Sequence, residues 1–206
     1  MNRLSPLRIT LAVTLLAIVA WLGWTGGQEN RFDYDTIIRL TNVRAGAPTL
    51  TAIAIAMTWL GSAYVTLGGV LAASIWRWLA RDRAAAIWAF ATVGGGRLLA
   101  EVVKWAVGRP RPHFTPWPVP VSSLSFPSGH ATNSMLGFGV LALLALPPEA
   151  RRTGSTMAVI LAILIGLTRP YLGVHWPSDV LAGWMLGGAV LLLAAPFRPG
   201  ASPAAA

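Results

Sequence analysis

The chain has no cysteine. That excludes disulfides, iron–sulfur clusters and thiolate zinc sites, and carries no information on compartment. Charge is nearly as scarce: 11% of the 206 residues are Asp, Glu, Lys or Arg, against roughly a quarter in a soluble domain. Acids number only seven and histidines three, so a multi-ligand metal site has few candidate ligands. What remains is apolar. Hydrophobic residues make up 55% of the chain, the mean hydropathy is clearly positive, and the apolar residues fall in long runs. Lipid rather than water is the solvent this sequence is suited to, and its length allows one compact domain.

The formal net charge is +9, from fifteen Arg and one Lys against seven acids. The arginines sit in short clusters between apolar runs. That pattern fits orientation in a membrane and argues against nucleic acid as a partner. The first apolar run, Ile9 to Trp24, follows Arg3 and Arg8 as a signal peptide would. It is longer than a typical signal-peptide core and has no small-x-small cleavage site beside it, so it reads as a retained span.

A bilayer core needs about 20 apolar residues per helix. By that measure the expected fold is all-α, a polytopic bundle of six transmembrane helices at roughly 8–25, 50–76, 84–106, 128–147, 154–172 and 179–196. The second run is long but too short for two spans, and is expected to be one tilted helix. Trp24, Trp76, Trp78, Trp105 and Trp176 lie near span ends, as an aromatic belt requires. Six spans place both termini on one side, together with the loops at Arg77–Arg83 and Glu149–Arg152. That side holds eight basic residues and the other holds seven, namely Arg31, Arg39, Arg44, Lys104, Arg109, Arg111 and Arg169. If the last four are kept for chemistry the balance is eight against three, which makes the termini cytoplasmic.

The polar stretch from Gln28 to Ala47 fits either a short surface helix or a solvated loop. The segment from Gly108 to Phe126 contains five prolines, so it is non-helical and stiff. Its Phe114, Trp117, Val119 and Val121 are expected at the headgroup level. Residues 198–206 read as a disordered tail behind a single domain over 1–197.

Three segments on one expected side gather the ionisable residues: 104–112 (Lys-Trp-Ala-Val-Gly-Arg-Pro-Arg-Pro), 127–130 (Pro-Ser-Gly-His) and 168–179 (Thr-Arg-Pro-Tyr-Leu-Gly-Val-His-Trp-Pro-Ser-Asp). Ionisable groups near a bilayer are costly to place and mark candidate function. Lys104, Arg111 and Arg169 supply three positive charges, which suit a phosphate dianion. Ser128 and Gly129 open a helix behind Pro127 and offer backbone N–H groups to an anion. Asp179, four residues after His175, can hold one imidazole nitrogen and leave the other free to attack phosphorus. His130, from another helix, is placed to protonate the departing oxygen. Water would then hydrolyse the phosphohistidine, with His130 as base.

Lys-x6-Arg-Pro, Pro-Ser-Gly-His and Arg-x5-His-x3-Asp, in this order, resemble the three-part signature of the type 2 phosphatidic acid phosphatase family. The resemblance implies that Lys104, Arg111, Ser128, Gly129 and Arg169 bind phosphate. By the same likeness His130 is the acid, His175 the nucleophile and Asp179 its orienting partner. It further implies a bacterial inner-membrane enzyme, independent of metal and of any cofactor, with its site facing the periplasm. The family often has Ser where this chain has Thr168, and the hydroxyl is kept. The expected substrate is a lipid phosphate within the phospholipid bilayer: undecaprenyl pyrophosphate first, because of the side the site faces, then phosphatidylglycerophosphate and phosphatidic acid. The sequence sets no oligomeric state.

Other assignments compete. A phosphotransferase would pass the phosphoryl group to a second lipid. A haloperoxidase is disfavoured because relatives of that kind are soluble, and a transporter or scaffold leaves the paired histidines and Asp179 without a role. Taken alone, Asp179 could be a helix cap and Lys104 a side chain snorkelling from a span end. Arg97 and Glu101, four apart, are expected to form an ion pair. Arg109 lies outside the signature, and His113 reads as a solvated loop residue. Gly183 and Gly187 are expected to serve helix packing.

Overall fold

The computed structural model describes residues 4–199. Among these every regular element is helical, in keeping with a solvent that leaves no backbone polar group for water to satisfy. The tail expected from residue 198 falls, from residue 200 onward, outside the described residues.

The helices are α1 (Pro6–Thr25), α2 (Arg31–Ala45), α3 (Pro48–Leu60), α4 (Ala63–Leu79), α5 (Arg83–Val107), α6 (Gly129–Ala145), α7 (Pro148–Tyr171) and α8 (Pro177–Ala194). Local chemistry sets their ends. The Ser5 side chain accepts from the Arg8 N–H at the start of α1, and the side chain of Asn30 does the same for the Asp33 N–H of α2. Gly108, at φ +65°, stops α5 by returning its N–H to the Lys104 carbonyl.

Among the described residues five stretches are long and apolar enough to cross a membrane: α1, α3 with α4, α5, α7, and α8 with the short turn after it. The protein is therefore read as multi-pass. Its outer surface agrees, since Trp24, Tyr64, Leu79, Phe90, Leu98 and Trp105 are all largely exposed. In lipid such a face carries no hydrophobic penalty.

The expected single helix over 50–76 is instead two, broken at Gly61–Ser62. A side chain at Gly61 would collide with Ile165 and Ser134, so α7 and α6 press on the break. Ser62 then restarts the helix by accepting from the Val65 N–H. The stretch Gln28–Ala47 is mostly helix, and α2 is packed against α7 and α8 with Asp33 and Ile37 buried.

The helix at the expected span 128–147, α6, packs against α4, α5, α7 and α8. Its 17 residues make about 25 Å at 1.5 Å per residue, less than a hydrocarbon core. Because protein rather than lipid surrounds it, Thr132, Asn133 and Ser134 can lie buried along it. Glycines allow the close approach of α8: a Cβ on Gly183 would lie 2.7 Å from the Ser128 carbonyl oxygen, and one on Gly187 2.8 Å from Met135 Cβ.

The apolar residues of the proline-rich segment, expected at the headgroup level, pack on the protein. Trp117, Val119 and Val121 cover Tyr171, Leu172 and Val174, and Phe114 meets Tyr34 and Trp176 edge-on. Arg44 ties this cover down by donating to the Leu172 carbonyl and to Thr115 Oγ1, both at 2.5 Å.

Candidate active site

His175 lies in the five-residue link between α7 and α8, with 1% of its surface exposed. Two neighbours settle the roles of its ring nitrogens. Arg111 Nη1 is 2.9 Å from Nε2, and a guanidinium can only donate, so Nε2 holds the lone pair. Nδ1 then carries the proton and faces Asp179 Oδ2 at 3.4 Å, long for a hydrogen bond, and Ser125 Oγ at 3.5 Å. Burial, and after it the charges of Arg111, Arg169, Lys104 and His130, hold the imidazole well below the usual histidine range. It is neutral at physiological pH.

Asp179 is wholly buried and fully engaged. Its Oδ2 accepts from the Trp176 N–H at 2.9 Å and from Ser125 Oγ; its Oδ1 accepts from Arg109 Nη1 at 2.7 Å. Helix capping and histidine orientation are thus two duties of one carboxylate. The backbone joins the elements too, through Ser128 N–H to the Asp179 carbonyl at 2.9 Å and Ser125 N–H to the Arg109 carbonyl at 2.9 Å.

The cations surround this core. Lys104 is 4% exposed and does not snorkel to water; its ammonium donates to the carbonyls of Leu124 (3.1 Å) and Pro127 (3.0 Å). One of its three N–H groups is left. Arg111 spends all five donors on Ser123 O, Ser123 Oγ, Leu124 O, Val174 O and His175 Nε2. Burial lowers its pKa to about 10, which leaves it charged at neutral pH. Arg169 reaches Thr58 Oγ1 at 2.7 Å, while its Nε has no partner. Ser128 Oγ is likewise buried without a partner. His130 is half-buried in the first turn of α6. Gly129 has open space where a Cβ would stand.

All eight residues expected at the site thus belong to one neighbourhood. Three more were not assigned from sequence. Ser125 lies two residues before the Pro-Ser-Gly-His segment and holds Asp179. Arg109, two before Arg111, holds the other side of the same carboxylate. Asp33, on α2, accepts from the Ser178 N–H at 2.9 Å across the fold. The only advance signals were an arginine doubling the motif arginine and a rare acid in a polar stretch.

One further expectation needs amendment. Arg97 does not pair with Glu101; it donates to Asn133 Oδ1 at 3.3 Å, because α6 offers a neutral acceptor at closer reach. His113 is the exposed loop residue expected, and it sits edge-on to Trp117. Both line a groove of about 560 Å³ beside Lys104 and Arg111.

Compared with known proteins, residues 85–202 match the family model described as the PAP2 superfamily. The chain belongs to the PAP2 superfamily. Among curated relatives, phosphatidylglycerophosphatase B of Bacillus subtilis is 40% identical over 99 residues, 46% of this chain and 48% of that protein. The lipid A 1-phosphatase of Rhizobium etli is 40% identical over 52% of this chain and 47% of its own length. The chain thus spans about half the length of these two relatives. The undecaprenyl-diphosphatase of Sulfolobus acidocaldarius is 28% identical over 89% of this chain and 87% of its own. In three dimensions the chain is similar to the crystal structure of a transmembrane PAP2-type phosphatidylglycerolphosphate phosphatase from Bacillus subtilis. The TM-score is 0.79 at 28% identity, covering 92% of this chain and 94% of that one. The PAP2 match takes in α6, α7 and α8, and with them Lys104, His130, His175 and Asp179.

Proposed function

We propose that this PAP2 protein is a membrane hydrolase that removes phosphate from a lipid phosphate or pyrophosphate through a phosphohistidine on His175. The observation that carries the reading is a neutral, buried imidazole with Nδ1 turned to Asp179 and the Nε2 lone pair turned to Arg111. An incoming phosphate exchanges for His175 as the partner of that Arg111 N–H, which frees the lone pair for attack. Lys104, Arg169 Nε, Ser128 Oγ and the backbone beside Gly129 take the phosphate oxygens. Nε2 bonds to phosphorus as the bond to the leaving oxygen breaks, and His130 gives that oxygen its proton. Water then attacks the phosphohistidine, loses its proton to His130, and orthophosphate departs as the P–N bond breaks. No metal enters this scheme.

The same reading takes α1, α3 with α4, α5, α6, α7 and α8 as six spans of one domain over 1–197. It puts the termini in the cytoplasm and the site on the periplasmic side of the inner membrane. Among substrates, undecaprenyl pyrophosphate ranks first, supported by a diphosphatase relative that aligns over 89% of the chain. Phosphatidylglycerophosphate and phosphatidic acid follow.

The test is phosphate release from these three lipids by purified protein in detergent, with chelator present. Turnover is expected to persist with chelator. His175→Ala is expected to lose roughly a thousandfold or more. Near-normal turnover by that variant would sink the nucleophile assignment.

A further inference from the structure

We infer that Arg109 and Asp33 are positioning residues for the nucleophile, acting through Asp179 and the first turn of α8; this rests on the reading of His175 as nucleophile. Arg109 is 6% exposed and spends four N–H groups in two directions. Nη1 donates to Asp179 Oδ1 at 2.7 Å and to Ser178 Oγ at 2.9 Å. Nη2 donates to the carbonyls of Leu22 (2.6 Å) and Gly23 (3.1 Å) at the end of α1. The guanidinium also lies over the Phe126 ring, 4.5 Å from its centre. It is therefore held in one orientation, and none of its contacts is to the phosphate ligands.

Asp33 completes the frame from the other side. It is wholly buried, yet has no ion pair within 4 Å among the described residues. Instead Oδ1 accepts from the Ser178 N–H, and Oδ2 accepts from Ser178 Oγ and from the Gly27 N–H at 2.6 Å. A buried carboxylate is costly unless its oxygens are satisfied. Here they are satisfied by the first turn of the helix that carries Asp179. Ser178 Oγ joins the two halves, accepting from Arg109 while donating to Asp33.

The sequence around Gly26 and Gly27 is shaped to admit this frame. A Cβ on Gly26 would collide with Ser178 and lie 2.9 Å from Arg109 Nη1; Gly27 has φ +102° and would press Arg109 Cδ at 3.2 Å. Only glycine lets the α1–α2 turn close over the pair. The consequence for chemistry is directional. With Oδ1 fixed by Arg109, Oδ2 is left facing His175 Nδ1, which keeps Nε2 as the attacking nitrogen.

Such a role predicts a loss in turnover and not in substrate binding. Kinetics with phosphatidic acid micelles, and melting temperatures, would be measured for Arg109→Gln, Arg109→Lys, Asp33→Asn and His175→Ala. Arg109→Gln is expected to lower kcat about 10- to 100-fold, with KM changed less than about threefold. Arg109→Lys should recover part of that loss, since it restores the charge without the fork. Asp33→Asn should lower kcat by less. If Arg109→Gln does not fold, Arg109→Lys and Asp33→Asn carry the test by the same split. The inference is overturned if the folded variants melt lower yet keep kcat, or if KM rises while kcat stands. An active His175→Ala would instead refute the nucleophile and leave these contacts a structural brace.

Discussion

The two ends of α6 are built on opposite plans. At its C-terminal end three arginines close the last carbonyls: Arg77 on Leu144 O (3.2 and 2.5 Å), Arg151 on Leu146 O (3.1 Å) and Arg198 on Leu143 O (3.5 Å). That is the expected use of cations against a helix dipole. At its N-terminal end the Ser128 side chain caps nothing, the flank of Gly129 is open, and the nearby Arg169 Nε has no partner. Within one short helix, orphan carbonyls are covered by the protein while the donor end keeps its capacity. Arginine closes carbonyls at one end and, on the proposed function, is gathered for an anion at the other. The difference lies in what each guanidinium meets, and composition cannot reveal it.

This contrast can be broken most severely at the open end. Ser128→Ala combined with Arg169→Gln should reduce kcat/KM by roughly a hundredfold or more, each having removed a donor to charge that develops at phosphorus. Melting temperature should fall little, since Ser128 Oγ and Arg169 Nε are unpaired in the fold and Arg169→Gln gives up only the bond to Thr58 Oγ1; steady-state kinetics beside a melting curve would show this. A similar loss of stability without loss of rate would erase the distinction between the ends.

Gly183→Ala comes next. Its methyl would press the Ser128 carbonyl and force α6 from α8, a strain of about 1–3 kcal/mol. Both melting temperature and turnover should fall, while Gly188→Ala, whose Cβ meets only Leu15 at 3.8 Å, should change neither.

A third prediction concerns pH. Folded His175 resists the proton that the unfolded chain takes up near pH 6.5. Its contribution is therefore fully present above that pH and is lost as pH falls below it, by at most about 1.4 kcal/mol per unit. His175→Gln should flatten the decline of melting temperature between about pH 6.5 and 4.5, by comparison with the parent chain.

The smallest effect belongs to the capped end. Arg77→Gln removes bonds to Leu144 O and the 3.5 Å pair with Asp82, and should cost about 1 kcal/mol of stability. Its kcat and KM should match the parent's.

Much of the site was legible because its residues carry chemistry at short, fixed spacing. His175 and Asp179 are four apart, and Ser128, Gly129 and His130 open a helix behind a proline. The helical class followed from apolar runs alone. What escaped was long-range or dependent on a neighbour. Asp33 meets Ser178 across 145 residues, and no periodicity announces such a partner. Arg97 has Glu101 at the right spacing and still turns to Asn133, because spacing offers a contact that packing can outbid. The break at Gly61 was hidden for a similar reason: α6 and α7 impose it from outside, on a stretch whose own residues read as one helix.

The tie between α6 and α8 has a mechanical consequence. Ser128 N–H is bonded to the Asp179 carbonyl, and Gly183 brings the two backbones into contact just beyond. The helix that carries His130 and the helix that carries Asp179 are thereby tied together at their first turns. On the proposed function, motion that admits a headgroup or releases a product would fall to what rests on that pair: the proline-rich cover, held at Arg44, and the two-glycine turn before α2. On the proposed mechanism, that tie would keep the spacing of His130 and His175 constant while their surroundings move.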